Sequence, residues 1–311
     1  MLIQSVIMSK NKLHNNKLKL TDLLSYVIAH LLTIESIRTV DEAYIEAEII
    51  ISFVFTVKIN ELRMNFDKYK HLFKQEKLNK TLLKRLSGEP IAYIVGTKPF
   101  FDFNLIVGYG VLIPRPETEI LVEKSLKVID GFQSKKNNLN IVDVGTGSGA
   151  IIISLAKMLN PKKNYKFYAI DNSEIAIKYC KKNILKMELN QKINISKSDL
   201  LEQFQDTPDV TIANLPYIPT KNIMNLQKEV RLTEPKNALD GGKDGLQIIE
   251  RLIMQLSQKI NYDNYAIILE IEENQEEKLE AILKKYLKIY KIEYTHDLQD
   301  TKRVITISNN S

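Results

Sequence analysis

The sequence predicts an α/β protein: an open, mostly parallel sheet of seven strands with a small helical domain in front of it. Two observations carry this. From residue 140 onward, short β-prone runs alternate with amphipathic segments, the pattern of βα units feeding one sheet. Before residue 88 there is neither glycine nor proline, and apolar residues recur at helical spacing, so this part reads as helices. The 311 residues, 44% hydrophobic and 26% charged, suffice for one large domain and one small one.

The chain opens on an apolar run, Met1 to Met8, followed by Lys10, Lys12, Lys17 and Lys19. A secretory leader has the reverse order and a small-residue cleavage site, which is missing here. No window reaches the ~18 apolar residues of a membrane span. The longest apolar stretch, 49–57, is broken by Ser52 and Thr56. A cytoplasmic chain with no membrane association is therefore expected.

Leu23, Leu24, Val27, Ile28 and Leu31 mark a first helix with Thr21 as its N-cap. A second helix is expected over 41–57, with acidic residues in its first turn, and a third over 69–86. Residues 1–87 hold 14 basic and 9 acidic residues, most of the chain's net charge of +6, and read as a docking domain for a partner. Glycine and proline then cluster over 88–116, a linker. In it the β-prone runs 100–107 and 111–113 flank Gly108-Tyr109-Gly110 as a hairpin.

The α/β domain spans 117–311. Its first helix begins at Glu117 and is followed by a polar loop holding Gly131 and residues 134–138. Strands are expected at 140–144, 166–170, 193–197, 210–214, 266–271, 289–294 and 304–308, with helices at 151–159, 173–187 and 246–260. The last two strands are joined too closely for a helix and should form an antiparallel pair at one edge.

Composition excludes several chemistries. The single Cys180 rules out a disulfide framework and a cysteine zinc cluster, and His14, His30, His71 and His296 show no ligand spacing, so no metal is expected. Only seven of the 44 basic residues are arginine, the residue that reads base edges and clamps phosphate. A lysine- and asparagine-rich chain of this kind reflects AT-rich codon usage, and direct nucleic-acid binding is not expected.

The first strand ends in Asp143-Val144-Gly145-Thr146-Gly147-Ser148-Gly149 and runs straight into a helix. Glycines at such a turn allow close backbone approach of a ligand to the helix N-terminus. Their alternate spacing departs from the Gly-x-Gly-x-x-Gly of dinucleotide sites and resembles the first motif of class I methyltransferases, in which an amino-acid ligand's ammonium needs acidic and carbonyl partners. Asp171, ending the second strand, can accept from ribose hydroxyls. Asp199, past the third, either accepts from an adenine amino group or caps a helix.

The fourth strand ends in Asn214-Leu215-Pro216-Tyr217. An asparagine oxygen and the next backbone carbonyl can accept both N–H bonds of a planar amide or amino group, aiming its nitrogen at a methyl sulfonium, while Tyr217 stacks on the plane. No strong base is needed, because the sulfonium leaves as a neutral thioether and positioning supplies the acceleration. This motif resembles the Asn-Pro-Pro-Tyr sequence of enzymes that methylate planar nitrogens. Gly88-Glu89-Pro90-Ile91-Ala92-Tyr93-Ile94-Val95-Gly96 and Leu112-Ile113-Pro114-Arg115-Pro116-Glu117-Thr118-Glu119 are similar to the linker signature of the HemK/PrmC release factor glutamine methyltransferases. Glu234-Pro235, Ala238-Leu239-Asp240-Gly241-Gly242, Asp244-Gly245-Leu246 and Arg303-Val304 match the same family.

The resemblance implies a class I methyltransferase with a seven-stranded Rossmann-like sheet, S-adenosylmethionine as cofactor and class I peptide chain release factors as protein substrates. It implies that Gly145 to Gly149, Asp171, Leu200 and Asn214 bind the cofactor, and that Asn214, Leu215, Pro216 and Tyr217 hold the substrate glutamine. Three departures stand out. Leu215 replaces the family's first proline, with a less rigid loop expected. Glu272 stands where glycine is usual and is expected to crowd the sheet edge near the cofactor. Leu200 takes an often aromatic position. Rival readings are an adenine-N6 nucleic-acid methyltransferase, which would need an inserted recognition domain and arginine-rich loops, and a non-catalytic S-adenosylmethionine-binding protein.

Overall fold

A computed structural model describes residues 18–132, 138–288 and 290–309. The apolar run Met1 to Met8, the lysines up to Lys17, His14, most of the polar loop at 134–138 and Ile289 lie outside them. Two compact units divide the chain: residues up to 96 together with 227–233, and 97–226 with 234 onward. The first unit thus runs past the expected break at 87 and takes in a distant segment.

The first unit holds α1 (Leu20–Leu31), α2 (Val40–Phe55), α3 (Ile59–Tyr69), α4 (Gln75–Leu86) and α5 (Ile91–Val95). Leu23, Val27, Leu31, Ala47, Ile50, Leu62 and Leu82 are wholly buried at its centre. Helix α2 starts at a capping box, the Thr39 hydroxyl accepting from Glu42 N and the Glu42 carboxylate from Thr39 N. Thr21 is not a cap: α1 begins at Leu20, after Lys19, and Leu20 packs against the core. The helix expected over 69–86 begins only at Gln75; Tyr69 instead ends α3, and a 3₁₀ turn at Lys70–Leu72 separates the two. Phe66 and Phe73 both reach Phe55, each at 5.7 Å between ring centroids, and the chain must turn between them to do so. No glycine or proline signals that turn.

The second unit opens with a hairpin, β1 (Thr97–Phe100) and β2 (Phe103–Ile106). Its turn is Phe101-Asp102, with Phe101 at φ 48°, and not Gly108-Tyr109-Gly110. Phe100 pairs with Phe103 and both are buried, so the reversal has to fall between them. Gly108 to Val111 form a separate turn that leads into an extended segment.

Next come α6 (Glu117–Phe132), which includes Gly131, then β3 (Asn138–Val144), α7 (Ala150–Met158), β4 (Asn164–Asp171), α8 (Glu174–Lys186), β5 (Ile193–Lys197) and β6 (Val210–Ala213). Helix α9 (Lys228–Thr233) belongs to the first unit. The series closes with α10 (Gln247–Leu256), β7 (Ala266–Glu270), α11 (Glu276–Tyr286), β8 (Lys291–His296) and β9 (Lys302–Ser308). The sheet order is β5-β4-β3-β6-β7-β9-β8, with β9 antiparallel to both of its neighbours. All seven expected strands are present, and the last two form the antiparallel edge. Buried Val142, Val144, Ile212, Ile267 and Ile305 make the sheet's core. Among the described residues no helix is long and apolar enough to cross a membrane, and no acidic, histidine and cysteine cluster could hold a metal.

Candidate active site

Strands β3 and β6 are neighbours, yet the chain leaves β3 toward β4 on the other side. Such a switch point opens a crevice at the carboxyl ends of the strands. Here it is a cleft enclosing about 1070 Å³, its open mouth included, walled by residues of the second unit alone.

The glycine turn forms one wall. Gly145, Gly147 and Gly149 have φ of 75°, 56° and 86°, a region costly for any residue with a Cβ. Gly145 N and Thr146 N both donate to Ile170 O, at 2.8 and 2.9 Å, and tie the turn to β4. From α8, buried Asn183 donates to Ser148 O at 2.9 Å and exchanges hydrogen bonds with the backbone of Ile106, so it links the turn to the hairpin.

Gly145, Thr146, Gly147 and Ser148 line the cleft; Asp143 and Gly149 do not. Gly149 is the N-cap of α7. Asp143 is wholly buried beneath the turn, where one carboxylate oxygen accepts from the Thr146 hydroxyl at 2.6 Å and Oδ1 has no partner among the described residues. Burial pushes its carboxyl up to about 7.

Asp171 ends β4 and faces the cleft. Its oxygens accept from Gly147 N at 2.9 Å and Ser173 N at 2.8 Å. Burial raises its pKa and these backbone donors oppose the rise. Each oxygen keeps a second lone pair for a ligand hydroxyl. Asp199 also lines the cleft, in an ion pair with Arg251 at 2.7 Å. It caps no helix: 199–203 is a turn, and Ser198 Oγ accepts from Gln203 N there. Leu200 lines the cleft in the left-handed region, φ 52°. This costs about 1–2 kcal/mol, offset by the anchoring of Ser198 N on Asp171 O and of Leu201 N on Gln255 Oε1. The turn, the acidic group on β4 and the apolar floor of Leu200 and Ile248 together fit S-adenosylmethionine.

Beside the turn, at the end of the neighbouring strand β6, Asn214, Leu215 and Pro216 also line the cleft. The Asn214 amide nitrogen donates to Thr118 Oγ1 at 3.0 Å and Glu270 Oε2 at 2.9 Å. No described residue donates to Asn214 Oδ1 or to the Leu215 carbonyl, so both remain acceptors on residues that line the cleft. Leu215 is buried against the glycine turn: a Cβ on Gly145 would stand 2.9 Å from Leu215 Cδ2. The loop is braced further on, by Ile218 N to Leu239 O, Gly241 N to Ile218 O and Gln275 Nε2 to Tyr217 O. Packing of Leu215 and these bonds brace the loop where a proline is absent. Tyr217 does not wall the cleft; its hydroxyl donates to Glu270 Oε1 at 3.3 Å. Nor does Glu272, which is half-buried outside it, so the expected crowding is absent.

Sequence reasoning missed Glu270 and Thr118. Glu270 is 2% exposed at the end of β7 and takes hydrogen bonds from Thr118, Asn214 and Tyr217. An acidic residue ending an otherwise apolar strand, Ala266 to Glu270, is the signal that could have found it.

A methyltransferase domain model matches residues 135–293, and a PrmC N-terminal domain model matches 25–96. A release factor glutamine methyltransferase from Buchnera aphidicola subsp. Schizaphis graminum is 38% identical over 78% of this chain and 84% of its own length. One from Dictyoglomus turgidum is 36% identical over 86% and 92%. The chain belongs to the release factor glutamine methyltransferase family. It is an S-adenosylmethionine-dependent methyltransferase. Among solved structures, the hMettl16 catalytic domain in complex with MAT2A 3′UTR hairpin 1 matches with a TM-score of 0.51 at 16% identity, over 75% of this chain and 79% of that one, a likeness of fold.

Proposed function

We propose that this chain methylates the N5 amide nitrogen of the glutamine in the Gly-Gly-Gln motif of class I peptide chain release factors. The observation that carries the reading is the Asn214 amide. With its nitrogen held by Thr118 and Glu270, its oxygen and the adjacent Leu215 carbonyl are left as two acceptors beside the glycine turn. The relatives' names supply the substrate. Bound S-adenosylmethionine would supply an electrophilic methyl carbon and a neutral thioether leaving group. The glycine turn, Asp171, Asp199 and Leu200 would hold it. Asn214 Oδ1 and the Leu215 carbonyl accept the two N–H bonds of the glutamine amide, which turns the nitrogen lone pair toward the methyl group. As the new C–N bond forms, the nitrogen becomes strongly acidic and gives one proton to solvent.

A planar amide and an adenine amino group are chemically alike here, so the substrate class rests on the relatives and on the helical first unit, which serves as a docking domain for release factor. Direct nucleic-acid binding is not part of this reading, and translation factors as substrates place the enzyme in the cytoplasm. Methyl transfer to purified release factor, set against duplex DNA, tests it. Transfer to DNA alone would overturn it.

A further inference from the structure

We infer that Glu270 is a positioning residue for methyl transfer, its carboxylate fixing which end of the Asn214 amide faces the substrate. The inference rests on the glutamine-methylation reading and adds a residue to it.

An asparagine amide has nearly the same shape either way round, so only hydrogen bonds decide its orientation. At this site the decision is doubly made. Thr118 spends its hydroxyl hydrogen on Glu270 Oε2 at 2.8 Å, which leaves Thr118 Oγ1 an acceptor toward Asn214. Glu270 Oε2 is itself an acceptor at 2.9 Å. Both groups demand the NH₂ end. A flipped amide would press Oδ1 against a carboxylate oxygen and present two donors to a substrate nitrogen that also brings donors. Tyr217 closes the other side by donating to Glu270 Oε1.

Among the described residues no cation pairs with the carboxylate. Arg303, on β9, pairs with Asp297 and acts on Glu270 only through space, while Glu117, on α6, opposes ionisation. Burial, the largest influence, pushes Glu270 up to about 7. Protonated, Glu270 becomes a donor as well as an acceptor and no longer excludes the flipped amide. The groups that act on it are therefore Asn214 and Tyr217 from the loop after β6, Thr118 and Glu117 from α6, and Arg303 from β9. Holding an ionised carboxylate in so buried a place opposes folding, and two of its three hydrogen bonds come from Asn214 and Tyr217 in the loop after β6.

Glu270→Gln keeps the shape and removes the charge, and a glutamine amide can pair with either orientation of Asn214. With wild type active on release factor, this variant should lose at least tenfold in kcat near pH 8. KM for release factor and Kd for S-adenosylmethionine should stay within about threefold. The fall of wild-type kcat on the acid side of about pH 7 should vanish. A kcat within twofold of wild type across the pH range would overturn the inference. If Glu270→Gln does not fold, Thr118→Val takes its place: losing one donor to the carboxylate should move the acid limb of kcat to higher pH, and an unmoved limb would overturn the inference. Wild-type enzyme inactive on release factor would instead overturn the function proposed above, so the two failures are distinguishable.

Discussion

Asp171→Asn should weaken S-adenosylmethionine binding by about 10- to 150-fold. In the wild type each carboxylate oxygen takes one backbone N–H, from Gly147 at 2.9 Å and Ser173 at 2.8 Å, and keeps a lone pair for a ribose hydroxyl. Asparagine retains one such oxygen. Its NH₂ end must then face one of the two backbone donors. Losing a charge-assisted hydrogen bond to the ligand costs about 1.5–3 kcal/mol, and each 1.4 kcal/mol is about tenfold in affinity. The stranded backbone N–H should also destabilise the fold by about 1–3 kcal/mol. Calorimetric titration gives the affinity and a thermal melt the stability. A folded variant whose Kd stays within threefold of wild type would show that Asp171 shapes the turn and does not hold the ligand.

Three further outcomes follow from the geometry. Asn214→Ala should abolish turnover in a tritium-methyl assay while cofactor Kd, by calorimetry, moves less than about tenfold, because the lost contacts orient the substrate nitrogen. Gly145→Ala should destabilise by at least about 1–2 kcal/mol from its φ of 75°, and adding Leu215→Ala should relieve only the part due to the 2.9 Å approach, which denaturant unfolding of the single and double variants would resolve. Asp143 and Glu270 have carboxyl groups raised by burial to about 7, above their unfolded values of 3.8 and 4.5. The fold therefore binds protons that the unfolded chain releases, and this contribution is full below about pH 4 and lost as pH rises through about 7. The melting temperature should rise by several degrees from pH 8 to pH 6, and a rise that persists unchanged in Asp143→Asn/Glu270→Gln would reject the assignment.

The sheet was legible because its signals are local. Runs such as 140–144 and 210–214 are β-prone, helices separate them, and turn residues bound them, so all seven strands appear within a few residues of their expected limits. The turn inside 69–86 was not legible, since aromatic packing on Phe55 makes it without any breaker residue. The hairpin was misplaced for a related reason: Gly108 and Gly110 advertise a turn more loudly than Phe101-Asp102, and only the pairing of Phe100 with Phe103 decides between them. At the site, the Asp143–Gly149 and Asn214–Tyr217 motifs bring Gly145 to Ser148 and Asn214 to Pro216 to the cleft wall, while Asp143, Gly149 and Tyr217 stand outside it. Contacts between motifs could not be read in advance. Glu270 and Thr118 act on Asn214 from 56 and 96 residues away, a distance along the chain that no spacing rule spans. Asp143 proved to support Thr146 from below.

The amide-acceptor pair at Asn214 and Leu215 is proposed to serve a protein glutamine. The most direct test of this proposal is the mass of the Gly-Gly-Gln peptide from a release factor co-expressed with this chain. One added methyl group on the glutamine is expected with wild type and none with Asn214→Ala. An unmodified peptide in the presence of folded, cofactor-binding wild-type enzyme would contradict it.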